Sequence, residues 1–112
     1  MDLRGTVDEV VANGASADSG WDLRDDHGLR DLPYLVGTAK SDAEVTVTVE
    51  QSHDGQAIDF SETVSDVPGA DILAAGGRGG FRFARVAPYV RLTFANASGG
   101  DAVVFGKIYG SD

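Results

Sequence analysis

The sequence has no cysteine, so it can build no disulfide framework, thiol nucleophile or cysteine-ligated metal knuckle. Lysine is almost missing, with 2 residues in 112, and no run of Lys and Arg occurs anywhere. A formal net charge of −9 is also the wrong sign for holding a phosphate backbone, so nucleic acid is not an expected partner. No stretch approaches the ~18 consecutive apolar residues of a membrane helix, and none is expected. The chain opens without a basic segment leading into an apolar one, so no signal peptide is expected either.

Catalytic motifs are equally sparse. His27 and His53 are the only histidines, and no Gly-x-Ser-x-Gly elbow is present to set a nucleophile beside either. The glycine cluster Gly76-Gly77-Arg78-Gly79-Gly80 lacks the Lys-Ser or Lys-Thr pair of a phosphate-binding loop. It precedes a strand pattern instead of a helix, so it reads as a flexible loop. The acidic run from Asp22 to Asp31 holds Asp25, Asp26 and His27, but its acids do not fall at calcium-loop spacing. Arg24 and Arg30 are interspersed in it, so a solvated acidic loop is expected there and no metal site. No catalytic residue and no cofactor is expected.

What the chain has in excess is aspartate. There are 14 Asp against 4 Glu, and 7 Arg against the 2 Lys. Carboxylates hold water and ions at a surface, and in molar salt their mutual repulsion is screened within about 3 Å. At low salt the same charges loosen a compact state. The composition therefore suits a protein of concentrated brine. The charge is also divided along the chain. Residues 1–75 hold 16 acids and 4 bases, whereas residues 76–112 hold 5 bases and 2 acids. A basic third of this kind is either a contact surface for an acidic partner, a second copy included, or a set of pairs made within the fold. Arg78, Arg82, Arg85 and Arg91 are the contact candidates, because a guanidinium makes several bonds at once.

Hydrophobic periodicity gives the fold class. Glu44-Val45-Thr46-Val47-Thr48-Val49-Glu50 alternates with a period of two, and its β-branched residues fit a strand buried on one face. Asp54-Gly55 supplies turn chemistry, and Ala57 to Ser61 alternates again with Ile58 and Phe60 facing inward, which makes a hairpin. Further strands are expected at 7–12, 21–23, 34–38, 81–86, 89–95 and 102–109. The one helical candidate, a turn or two, is Gly69 to Ala75. Strands arriving every ten or so residues predict an all-β fold, an antiparallel β-sandwich of jelly-roll type with about seven or eight strands. At this length it is expected to be one domain, residues 1–112.

The strand ending in Ser52-His53-Asp54-Gly55, followed by Ala87-Pro88-Tyr89-Val90-Arg91-Leu92, resembles the succession found in discoidin-like, galactose-binding-like β-sandwich modules. With Asn96 after the second strand, it is also similar to small β-sandwich virion proteins of tailed viruses. The likeness spans residues 43–110 and carries over no binding residue. It implies an architecture for binding and assembly. Joined to the brine-adapted composition, it leads us to expect a non-enzymatic virion structural protein of a virus of halophilic archaea. Its place would be a capsid accessory, turret or tail component, assembled in a high-salt host cytoplasm. Its partners would be other virion proteins and copies of itself. The alternative is a carbohydrate-binding or adhesion module, with Trp21 and Tyr34 stacking on sugar.

Overall fold

Nine strands and no helix are found among residues 4–23, 33–65 and 73–111, the part of the chain that the computed structural model describes. Side-chain alternation makes them. β5 (Val45–Ser52) buries Val45, Val47 and Val49 and turns Thr46 and Thr48 to the other side. β4 (Tyr34–Ser41), β8 (Tyr89–Asn96) and β9 (Ala102–Ser111) alternate in the same way. The rest are β1 (Arg4–Val11), β2 (Ser16–Asp18), β3 (Asp22–Leu23), β6 (Phe60–Val64) and β7 (Arg78–Ala84).

The strands form two antiparallel sheets. Sheet A has the order β1-β9-β4-β7, and sheet B has the order β2-β8-β5-β6 with β3 also on β8. β2 and β3 take successive stretches of one β8 edge, with Ala17 opposite Phe94 and Asp22 opposite Val90, so they act as a single interrupted strand. Counted that way, eight strands take jelly-roll order, with every connection crossing between the sheets except the β5–β6 hairpin. The expected all-β sandwich is therefore the fold of this chain. Its core lies between the sheets, where Leu35, Leu92, Phe94 and Ile108 are fully buried. Two of the edge strands, β1 and β6, each carry a glutamate, Glu9 and Glu62, at a core-side register position beside Val104 and Val49. Both glutamates are exposed, and charge at such a position discourages a stray strand from adding to the edge.

Several local expectations are corrected. The β5–β6 hairpin exists, but pairing resumes only at Phe60, opposite Gln51, so residues 57–59 belong to the loop. Ile58 and Phe60 are 47% and 44% exposed rather than inward. Phe60 shares the register side of buried Val64, yet β6 is an edge strand with β5 as its one hydrogen-bonded neighbour. Gly79 and Gly80 lie in β7 and are not a loop. A Cβ on Gly79 would stand 3.0 Å from the Ser65 carbonyl oxygen and 3.1 Å from Val64 Cγ1, so the glycine serves close packing of the two sheets. The helical candidate lies outside the described residues over 69–72. Beyond it, Leu73 forms an isolated bridge with Val45, fully buried, and no helical turn follows.

Candidate functional site

The outer side of sheet A is assembled by register. Lys40 on β4 stands opposite Phe105 on β9 and opposite Arg78 on β7. Lys107 is opposite Thr38, one pleat along the same face. The two lysines of the chain thus flank one aromatic ring, with their ammonium nitrogens 5.3 Å and 5.7 Å from the Phe105 centroid. Arg82 extends the basic face and lays its guanidinium 3.7 Å from the Tyr34 ring centroid. Asp8 on β1, opposite Phe105, is the one acid contributed by the described strands to this face.

The same face is apolar as well as basic. Val10, Val103 and Tyr109 are 60%, 53% and 40% exposed on it. At its β4–β5 end lies a hollow of about 560 Å3, lined by Asp8, Lys40, Asp42, Arg78, Val103 and Phe105 among others. Asp42 is partly occupied there, since its Oδ1 accepts the Val103 N–H at 2.7 Å. Exposed apolar side chains interspersed with charge are the surface chemistry of an interaction site.

No known family matches the sequence, and no curated protein does. Solved structures match the fold. The PBSX exported protein XepA superposes over 99% of this chain with a TM-score of 0.70 at 15% identity. A chain of the IBDV viral particle does so over 99% with a TM-score of 0.57 at 12% identity. Bacillus endospore appendages, a family of disulfide-linked pili, give 0.52 at 14% identity over 99% of this chain and 88% of theirs. The likeness is one of fold. The chain spans 37% of the length of XepA and 31% of the viral chain.

The four arginines named as contact candidates do not converge. Arg78 and Arg82 share the outer side of sheet A. Arg85 lies half-buried in the connection from β7 to β8, where its N–H donates to the Pro33 carbonyl at 2.8 Å. Arg91 is on the outer side of sheet B, directly opposite Glu50. Its Nε donates to Glu50 Oε1 at 2.6 Å, Thr93 Oγ1 donates to the same oxygen at 2.8 Å, and its guanidinium lies 4.1 Å from the Trp21 ring centroid. The two rings offered for sugar stacking, Trp21 and Tyr34, therefore each carry a guanidinium on one face. Sequence reasoning missed Lys40, Lys107 and Phe105. Each lies at an outward-facing position of a strand pattern, but only pairing brings them together.

The Ser-x-Asp-Gly motif has a structural role. Asp54 Oδ1 accepts the N–H groups of Gln56 at 2.8 Å and Ala57 at 3.0 Å, and the Ser52 hydroxyl at 3.0 Å. These bonds favour the charged carboxylate and hold its pKa below the ordinary aspartate value, with the Gln56 N–H contributing most. The ordering they provide is complete above that ordinary value and is lost as pH falls through the lowered pKa. In an acid titration followed by NMR, the Gln56 and Ala57 amide protons should shift with a midpoint under 3.8, the ordinary value. The shift should vanish in Asp54→Ala. A midpoint above the ordinary value would contradict the bonding scheme.

His53 is exposed in the same loop and meets Phe60 edge-on at 5.8 Å. Among the described residues no three His, Asp or Glu side chains gather as a metal site requires. His27 and most of the acidic run, residues 24–32, lie outside the described residues. What the described surface offers is a face with charge, aromatic area and a hollow.

Proposed function

We propose that this chain is a non-enzymatic structural subunit of a virion, working through protein–protein contacts. The observation that carries the reading is the outer side of sheet A, where Lys40, Arg78 and Lys107 surround Phe105 beside a hollow, in a chain of net charge −9. Jelly-roll order and likeness in fold to a viral particle chain and to a spore pilus support an assembly role. The aspartate-rich composition supports a setting in a virus of halophilic archaea, as a capsid accessory, turret or tail part. Sedimentation velocity of the pure protein in molar KCl tests the assembly role. Species heavier than the 11.7 kDa monomer, growing with concentration, are expected.

The brine setting has its own test. Thermal melts at about 0.1 M and at molar KCl should show a higher midpoint in the concentrated salt, because screening relieves the surplus of acids. An unchanged midpoint removes the halophilic setting and leaves the structural role. For a carbohydrate-binding role, a sugar would have to share Trp21 or Tyr34 with the guanidinium already stacked there. No glycan on an array is expected to bind. Binding that is lost on Trp21→Ala would transfer the function to carbohydrate.

A further inference from the structure

Six large hydrophobic residues are exposed among the described residues, and five of them fall into two patches. Val10, Val103 and Tyr109 belong to the basic face of sheet A. Ile58 and Phe60 belong to the rim of sheet B, where Asp59 and Glu62 are their exposed neighbours. One patch borders a hollow where Lys40 and Arg78 stand beside Asp8 and Asp42, on a face that is basic overall, and the other carries two acids. The two lie at opposite ends of the sandwich. The hollow sits at the end where Ser41 and Val45 bracket the β4–β5 turn, while Ser52 and Phe60 mark the far end of β5 and the start of β6. A chain therefore cannot fill its own hollow with its own projection.

Building on the structural role proposed above, we infer that copies of this chain join head to tail, the Ile58–Glu62 projection of one copy seated in the sheet A hollow of the next. Apolar Ile58 and Phe60 meet Phe105 and Val103, and Asp59 and Glu62 meet Lys40 and Arg78. Charge chooses this arrangement over a two-fold pair of sheet A faces. Among the described side chains, that face and its hollow carry Lys40, Arg78, Arg82 and Lys107 against Asp8 and Asp42, a balance of +2, so a two-fold contact would set bases on bases. Because donor and acceptor patches differ and sit at opposite ends, the contact is heterologous. It propagates into an open filament, or into a ring where the rotation closes.

Two surface variants separate this from other association. Lys40→Glu with Arg78→Glu spoils the hollow and keeps the projection. Ile58→Ser with Phe60→Ser spoils the projection and keeps the hollow. In salt that keeps all three proteins folded by circular dichroism, the wild type should sediment as a concentration-dependent series. Each variant alone should be monomeric, its association weakened about tenfold or more. Their mixture should give a one-to-one dimer that grows no further. A wild type that stays monomeric, variants that still self-associate, or a mixture without the dimer each overturns the head-to-tail contact. With a monomeric wild type, NMR titration with polyglutamate then decides the broader reading. Shifts at the Lys40 and Arg78 amides leave a structural subunit with a different acidic partner, and no shifts remove that role as well.

Discussion

Truncating Phe94 to alanine should destabilise the fold by about 3–5 kcal/mol, the largest single effect expected in this chain. The ring is fully buried between the sheets and is the largest side chain of the core. Its position is matched to a glycine across the core. A Cβ on Gly106 would stand 2.8 Å and 2.9 Å from Phe94 Cζ and Cε1, and 2.7 Å from Leu92 Cδ2. Sheet A therefore gives up a side chain on β9 so that sheet B can place a phenyl ring there. Gly106→Ala should cost about 1–3 kcal/mol in the wild type, because the ring has to move off its packing. With Phe94→Leu in place, the same methyl should cost less, since the ring contacts are gone and Leu92 Cδ2 alone has to give way. Urea unfolding of the two single variants and the double variant, all in the same salt, closes the cycle. A coupling of at least about 0.5 kcal/mol is expected, and strictly additive losses would show that ring and glycine do not constrain one another.

That pairing marks the boundary of what the sequence displays. Alternation is a local property, so Val45, Val47 and Val49 announce β5 and its buried side without help. The same holds for Val90, Leu92 and Phe94 on β8, and from such strands the sandwich follows. Ser16–Asp18 was not recognisable as a strand, because Ala17 alone faces the core and three residues hold no period. Gly76 to Gly80 carries the composition of a loop, whereas Gly79 is there because Val64 and Ser65 come close, a fact about a distant strand. Phe60 has the alternation of a core residue and loses its burial to its place on an edge strand. The basic face of sheet A fails to show in the sequence for the same reason. Lys40, Arg78 and Phe105 come from three strands far apart in the chain, and register alone makes them neighbours. Arg91 stands among the contact arginines in the sequence, and nothing local shows that Glu50, 41 residues away, occupies it.

Replacing Gln51 by alanine should cost about 2–4 kcal/mol. Its side chain is 3% exposed and serves the crossing from sheet A to sheet B. Oε1 accepts the Val86 N–H at 2.7 Å and the Ala87 N–H at 3.2 Å, while Nε2 donates to the Ala84 carbonyl at 3.0 Å. The crossing runs from the end of β7 at Ala84 to the start of β8 at Tyr89, and Pro88 within it has no N–H of its own. One amide thus satisfies two donors of the connection and the last carbonyl of β7. Without it the N–H of buried Ala87 stays shielded from water and unbonded, which costs more than its bond contributes, and the Val86 N–H and Ala84 carbonyl lose their partner. Gln51→Leu separates this from a packing effect, because it keeps the volume and none of the bonds. Leucine should lose as much stability as alanine, and the Val86 and Ala87 amides should exchange with solvent faster in both. A loss under about 0.5 kcal/mol for leucine would mean that volume, and not the three hydrogen bonds, is what position 51 supplies.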